Sequence, residues 1–365
     1  MIFKSITKMI SMVLCLSILT ACSNEKEDSF QYDEPKNVYN VEFDGLEHLR
    51  AAPDMKIITE EFDSVYEFDY KGKEWDYYSR RDEFGKYYLG NSYDSNKWKV
   101  NEELLSNGDK CYMANYDPEH FSGEFFVSSD GVFSYQEEGE AETFPLTIDG
   151  FERIDNDDKK YKLSDRSFIT YSDAVTAAKE LIKGYDQVMG NEGSDVSDVY
   201  YNAAAKAIKI DFVQKIHGLK ISKIKTVMDL NHIEYDDLSI HTSNDFMMKE
   251  AYVFSSQKNG IKIYVFTADL DITDTAKHDK IITLQSVLNS IDHNAADKLV
   301  YEVISAELKY LPSAIEVKQE NGDITLDELH GFPVWEIILY NTTENREYAY
   351  ICNALNGERS LIKLN

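Results

Sequence analysis

The feature that most narrows the fold of this chain is period-two alternation, which recurs along much of its length. Tyr66, Phe68 and Tyr70 alternate with Glu67 and Asp69, the pattern of a strand with one buried face. From Ala207 the pattern returns, with Ile208, Ile210 and Phe212 on one side and Lys209, Asp211 and Val213 on the other. It crosses Gly218 and resumes at Ile221 and Ile224. Short turn signals separate such runs. Lys71-Gly72-Lys73 follows the first, Asp130-Gly131 lies between Phe125–Ser129 and Val132–Tyr135, and Asn259-Gly260 lies between Tyr252–Ser255 and Ile261–Phe266. Alternating runs joined by such turns predict antiparallel hairpins.

Residues 41–165 therefore read as a β-rich antiparallel domain. Glu74–Tyr77 continues the alternation as a returning strand, and Tyr87-Tyr88-Leu89, after Phe84-Gly85, is a further aromatic strand. Asn101–Leu105 is expected as a short helix. Two later segments switch to helical spacing. Ser172 is a good N-cap for Val175, Ala178, Leu181, Ile182, Tyr185 and Val188, with Lys183 and Gly184 weakening but not ending the helix. A second helix begins near Thr283, with Leu284, Val287, Leu288 and Ile291 as its stripe. Each is followed by strands, including Leu299–Leu311 and Phe332–Ile338. A helix followed by antiparallel strands, twice over, makes the fold class α+β and not doubly wound α/β. The boundaries on this reading are 166–282 and 283–365 for the two α+β units.

The N-terminus carries an address. Lys4 and Lys8 precede Met9–Leu19, an almost wholly apolar run too short for a membrane span and of the length of a signal-peptide core. It ends at Leu19-Thr20-Ala21-Cys22, which resembles the lipobox of bacterial lipoproteins. The resemblance implies cleavage between Ala21 and Cys22, so that 1–21 is a signal peptide. It also implies a diacylglyceryl group on the Cys22 thiol and a lipid-anchored protein on the extracytoplasmic face of the membrane. Two acyl chains give on the order of 20 kcal/mol of gross anchoring. Residues 22–40 then read as an acidic tether, with Glu25, Glu27, Asp28, Asp33 and Glu34 keeping it extended.

Charge excludes one class of partner. With 66 acids against 38 Lys and Arg, the formal net charge is −28. Removing 1–21, which hold two lysines and no acid, makes it −30. Such a surface repels phosphate backbones, so no nucleic-acid partner is expected. It also repels anionic lipid, which leaves the lipid on Cys22 as the membrane contact.

No motif of catalysis emerges. None of the eight histidines makes an H-E-x-x-H pair, and no Cys/His spacing resembles a zinc site. There is no G-x-S-x-G elbow and no glycine-rich phosphate loop. Asp117-Pro118-Glu119-His120 reads as a polar loop. Asp155-Asn156-Asp157-Asp158 lacks the glycine and terminal glutamate of an EF-hand loop. Asp269, Asp271 and Asp274 read as the exposed face of a strand end. The chain is thus expected to be no enzyme and to need neither metal nor cofactor. Cys111 and Cys352 are either a disulfide or two buried free thiols. The feature with binding potential is the aromatic density between Phe62 and Trp98, where Trp75, Tyr77, Tyr78 and Trp98 are candidates to stack on a ligand, against the alternative that they are sheet core.

Two further stretches carry a resemblance. Phe212-Val-Gln-Lys-Ile-His-Gly218 resembles the strand-and-turn pattern of PepSY-like modules and of the YycH/YycI type of extracytoplasmic regulators. Phe332-Pro-Val-Trp-Glu-Ile337, followed by Tyr348–Glu358, resembles the last hairpin of those modules, with a Pro-x-Trp strand and a strand ending in small-x-x-Gly-Glu. The resemblance spans 167–365. It implies PepSY-like α+β units and a non-enzymatic, membrane-tethered module that restrains or senses an envelope protein; the YycH/YycI type acts on a sensor histidine kinase. The departure is the anchor, since those regulators are usually held by a transmembrane helix. The function expected is a regulatory or scaffolding surface lipoprotein that binds an envelope protein. The alternative is an extracellular ligand-binding lipoprotein, for a glycan or peptide, that uses the N-terminal aromatics. On their own terms, Gly218 and Gly357 suit turns of positive φ, and Trp335 reads as a half-buried packing residue.

Overall fold

The computed structural model describes residues 30–72, 76–104, 110–117, 119, 123–129, 131–136, 150–155, 159–164, 166–224, 248–254, 261–265, 269–295, 299–318 and 324–364. The fold is α+β. Its helices among the described residues are α1 (Arg81–Leu89), α2 (Tyr171–Met189) and α3 (Leu284–Asn294), besides short 3-10 turns. The strands of the first part are β1 (Tyr32–Asp33), β2 (Leu49–Ile58), β3 (Val65–Gly72), β4 (Trp98–Leu104), β5 (Lys110–Tyr116), β6 (Glu124–Ser128), β7 (Phe133–Gln136), β8 (Glu152–Arg153), β9 (Lys160–Lys162) and β10 (Phe168–Thr170). Then come β11 (Ser194–Asn202), β12 (Ala207–Ile216), β13 (Leu219–Lys220), β14 (Met248–Phe254), β15 (Ile261–Val265), β16 (Leu270–His278) and β17 (Ile281–Ile282). The last are β18 (Tyr301–Lys318), β19 (Ile324–Asn341), β20 (Arg346–Asn353) and β21 (Arg359–Lys363).

Contacts group these elements into two units, both discontinuous in sequence. One takes in the described chain up to Val65, His278–Leu308 and the chain from Pro333 on; the other takes in Tyr66–Lys277 and Lys309–Phe332. The linear division at 41–165, 166–282 and 283–365 follows the order of elements, whereas the contact grouping takes elements far apart along the chain.

The larger unit is built on a ten-stranded sheet in the order β4-β5-β6-β7-β15-β14-β12-β11-β8, with β13 paired to β12. Every pairing on that path is antiparallel. The face that carries Ile208, Ile210 and Phe212 packs against Ala174, Ala178, Ile182 and Tyr185 of α2 and Phe84 of α1. Helix α2 begins two residues earlier than its sequence implies, because Thr170 and not Ser172 is the N-cap. Its Oγ1 accepts from Asp173 N at 3.1 Å and donates to the Asp173 carboxylate at 2.8 Å. Gly190, at φ +68°, ends it in the left-handed conformation.

Two local expectations are corrected here. Tyr87-Tyr88-Leu89 is not a strand but the end of α1. Phe84 and Tyr88, four residues apart, lie on one helical face, and Tyr88 stacks on Tyr135 with ring centroids 4.3 Å apart. Gly184 of α2 makes room for α1, since a Cβ there would lie 2.3 Å from the Tyr87 ring. Asn101–Leu104 are not helical: Trp98–Leu104 is strand β4, held in register by β5 from Trp98↔Tyr116 to Leu104↔Lys110, and Leu105 lies outside the described residues. Of the strand expected at Glu74–Tyr77, residues 74 and 75 lie outside the described residues, and Tyr77–Arg80 are turn.

In the smaller unit β2 runs parallel to β18 from Tyr301↔Leu49 to Glu307↔Ile58, and β19 pairs antiparallel with β20 from Val334↔Asn353 to Asn341↔Arg346. Helix α3 is N-capped by Thr283 and buries the expected Leu284, Val287, Leu288 and Ile291. Its Asp292 carboxylate accepts the backbone N–H of His48 at 2.6 Å and of Leu49 at 3.1 Å. Trp335 is fully buried, not half-buried, and donates Nε1 to the Ile282 carbonyl at 2.7 Å. Residues 30–40, the end of the stretch read as a tether, are part of this unit. β1 pairs with β17, Val38 is completely buried, and the Gln31 N–H donates to Ser286 Oγ at 2.9 Å.

Candidate functional site

A fully buried ionisable cluster of the larger unit lies around Lys249. Along β14, Lys249 shares the inward face with Ala251 and Val253, and all three are completely buried. A lysine has three N–H donors, and here each has an acceptor. Lys249 Nζ lies 2.6 Å from Asp269 Oδ1, 3.0 Å from Asp186 Oδ1 and 2.7 Å from Ser194 Oγ. It also lies 5.0 Å from the centroid of the Tyr185 ring.

The second oxygen of Asp269 accepts from Tyr185 OH at 3.0 Å and from Asn191 Nδ2 at 2.6 Å. Asp186 Oδ1 also accepts from Ser194 Oγ at 2.8 Å. Tyr77 OH and Tyr185 OH share a hydrogen bond of 2.8 Å. The local structure explains the convergence. Asp186 is on the last turn of α2, and the left-handed Gly190 turns the chain so that Asn191 and Ser194 fall beside it.

Burial pulls the Lys249 ammonium down, but Asp269 and Asp186 more than offset this and hold it above its ordinary value. Burial, followed by the charge of Asp269, pushes Tyr185 well up. Burial likewise raises Tyr77. The cluster is one ammonium, two carboxylates and two neutral phenols, linked by ion pairs and hydrogen bonds. Such an arrangement holds protons firmly, and its chemical capacity is to tie α2, β11, β14 and the start of β16 together.

The sequence signals place some of these residues elsewhere. Asp269 is not on an exposed strand end but 1% exposed and part of this cluster; Asp271 and Asp274 are exposed. Neither Lys249 nor Asp186 belongs to a sequence motif. Their signal is a charge on an otherwise apolar face: Lys249 two residues from Ala251, and Asp186 four from Ile182.

The aromatic candidates have diverse fates. Trp75 lies outside the described residues, as do Ala21 and Cys22. Tyr77 is 1% exposed, packed edge-on against Phe84, Phe133 and Tyr185, so neither ring face is open to a ligand. Tyr78 is half-buried, stacked on Tyr112 at 5.5 Å and covered by the Arg81 guanidinium at 4.4 Å. Trp98 is half-buried, donates Nε1 to Tyr93 OH at 3.2 Å and packs against Tyr116 and Phe125. Tyr78 and Trp98 pack on the cluster that contains Tyr77.

The stretch Phe212–Gly218 resolves into structural roles. Phe212 is core. Gln214 is 4% exposed and clamps Leu270, accepting its N–H at 2.8 Å and donating to its carbonyl at 3.1 Å. His217 and Gly218 form the two-residue turn between β12 and β13, both at positive φ. Glu192 accepts both of their N–H groups, the latter at 2.6 Å. His217 Nε2 lies 2.7 Å from Asp274 Oδ1, and its ring stacks on Tyr66 at 4.1 Å.

Strand β4 is the opposite of the Lys249 centre. It ends the sheet, and among the described residues only β5 pairs with it. Every residue from Lys99 to Leu104 is exposed, Leu104 to 73%. Lys99 contacts Asp117 at 3.0 Å and Glu102 contacts Lys110 at 2.8 Å.

In the smaller unit, an open groove of about 680 Å³ is lined by residues that include Glu42, Asp44, Gln285 and Asn289. Gln285 spans it, accepting from the Glu42 N–H at 2.5 Å and donating to the Glu42 carbonyl at 3.1 Å. Cys111 and Cys352 are buried free thiols. Among the described residues no cluster of three or more metal-ligating side chains occurs, and no helix is long and apolar enough to cross a membrane. His120 and Asn156–Asp158 lie outside the described residues.

No known family and no curated protein matches the chain. Among solved structures it is similar to an uncharacterised protein from Eubacterium rectale ATCC 33656, with a TM-score of 0.46 and 13% identity, over 85% of this chain and 92% of that one. It is also similar to the C-terminal domain of Bacillus megaterium YpeB, with a TM-score of 0.32 and 10% identity, over 81% of this chain and 99% of that one.

Proposed function

We propose that this protein is a non-catalytic lipoprotein, anchored through diacylglyceryl-Cys22 on the outer face of the membrane, that binds an envelope protein. The observation that carries the reading is the contrast in charge placement within the larger unit: the Lys249 centre is sealed and internally paired, while β4 offers an exposed strand edge. An open edge of this kind is a template for strand addition by another protein. The lipobox-like Leu19–Cys22 supports the anchor, and the net charge of −28 supports a protein rather than a nucleic-acid partner. A regulatory or scaffolding role of the YycH/YycI type follows from the resemblance of 167–365.

Crosslinking in intact cells followed by capture of the chain tests the reading. A defined membrane or wall protein is expected with the natural chain and is lost when Val100→Lys and Leu104→Lys block the edge. Recovery of nothing above background counts against partner binding. Acyl labelling of the natural chain, absent in Cys22→Ala, tests the anchor separately.

The glycan- or peptide-binding alternative now rests on Tyr78 and Trp98, the half-buried members of its set, with Trp75. It requires ligand retention that Trp98→Ala weakens.

A further inference from the structure

The edge strand β4 has a pattern that fits itself. Trp98, Val100, Glu102 and Leu104 share one face, and Lys99, Asn101 and Glu103 share the other. Lys99 and Glu102 each have an ionic contact, whereas Glu103 has no cation beside it among the described residues. Val100 and Leu104 are apolar side chains exposed to 47% and 73% at this same edge.

We propose that β4 pairs antiparallel with β4 of a second copy of the chain, centred on Asn101. This rests on the reading of β4 as a docking edge and names a second copy of the chain as the membrane protein that fills it. In that register Lys99 of each copy stands opposite Glu103 of the other and supplies it with a cation. Trp98 of each copy stands opposite Leu104 of the other. The neighbouring registers that keep the faces matched are worse. A shift of two residues one way sets the two Glu102 carboxylates against each other. A shift the other way sets Glu103 against Lys97, in the 3-10 turn before the partner's strand, and leaves only Trp98–Glu102 of each strand paired. Like charges directly opposite destabilise a strand pair, and opposite charges stabilise it. Two seven-residue strands cover little area, so the contact belongs to the small, reversible class, and its specificity lies in its register.

The test uses the full chain in its membrane. Opposed residues of an antiparallel pair have Cα atoms about 4.5–5.5 Å apart, within reach of a disulfide. Asn101→Cys is therefore expected to give a covalent dimer under mild oxidation. Leu104→Cys, which would face Trp98 and not itself, is expected to stay monomeric and serves as the folding control. Adding Lys99→Glu to the Asn101→Cys chain should reduce dimer by about tenfold or more. Adding Glu103→Lys as well should restore it. A monomeric Asn101→Cys chain overturns the self-pairing. If an envelope protein is still captured through β4, the docking edge stands with a different occupant; if β4 variants alter neither result, both readings fall. Dimer that forms equally in Leu104→Cys, or that the charge swap does not restore, also overturns the proposed register.

Discussion

Lys249 and Lys99 belong to strands of the same sheet, and each has a carboxylate oxygen within 3.0 Å, yet they do opposite things. The Lys249 side chain is 1% exposed and that of Lys99 is 59% exposed. Inside, water cannot take over when a partner is lost, so each of the three acceptors of Lys249 is needed. At the edge, water competes with Asp117 for Lys99, and the pair adds little to stability while remaining free to meet something else. The difference teaches that ionic chemistry in this molecule is divided by burial: the sealed groups hold the fold, and the open ones are available to a partner.

The largest expected effect comes from breaking the sealed side. Lys249→Met leaves two buried carboxylates without a cation and should cost about 3–5 kcal/mol in urea unfolding. Adding Asp186→Asn and Asp269→Asn should recover most of that loss. If the triple variant is as unstable as the single one, the ionic account of the centre is wrong. Gln214→Leu should be next, at about 1–3 kcal/mol, because the Leu270 N–H and carbonyl lose their partners inside the protein.

An alkaline titration sharpens the same contrast. Lys249, Tyr77 and Tyr185 all hold their protons more tightly folded than unfolded. Their contribution is therefore fully present below the unfolded values of about pH 10 and is lost as pH rises through the folded ones. The urea midpoint should stay level up to about pH 10 and then fall, with the phenolate absorbance of Tyr77 and Tyr185 emerging only with unfolding. Phenolate signal from both at full native structure would contradict their enclosure. The smallest effect belongs to the edge: Lys99→Ala should leave the urea midpoint unchanged within error, and a clear loss would mean that β4 is less open than described.

Much of the fold is legible in local pattern. The faces of Ile208, Ile210 and Phe212, the stripe of α3 and the Thr283 cap follow from a periodicity that each segment carries alone. Local pattern misleads where composition and geometry part. Tyr87 and Tyr88 are strand-favouring residues, but α1 places Phe84 and Tyr88 on one face toward Phe125, Phe133 and Tyr135. Glu102 and Glu103 favour helix, but pairing with β5 makes Trp98–Leu104 a strand. Of the aromatic candidates, Tyr77 has the same surface-or-core ambiguity in sequence as Tyr78, and only the neighbours that α2 brings decide between them.

By itself the sequence determined an α+β class, the antiparallel habit of most of its strands, though not the parallel pair of β2 and β18, and an excess of acid that no folding can remove, because these depend on residue type and on spacing within one segment. It could not place Asp186, which lies 63 residues before Lys249, in the same pocket of charge, nor leave β4 as the last strand of its sheet. Those are properties of which strands become neighbours. Burial and the number of available hydrogen-bond partners, which turn a lysine into an anchor or leave it open, are fixed only when those neighbours are in place.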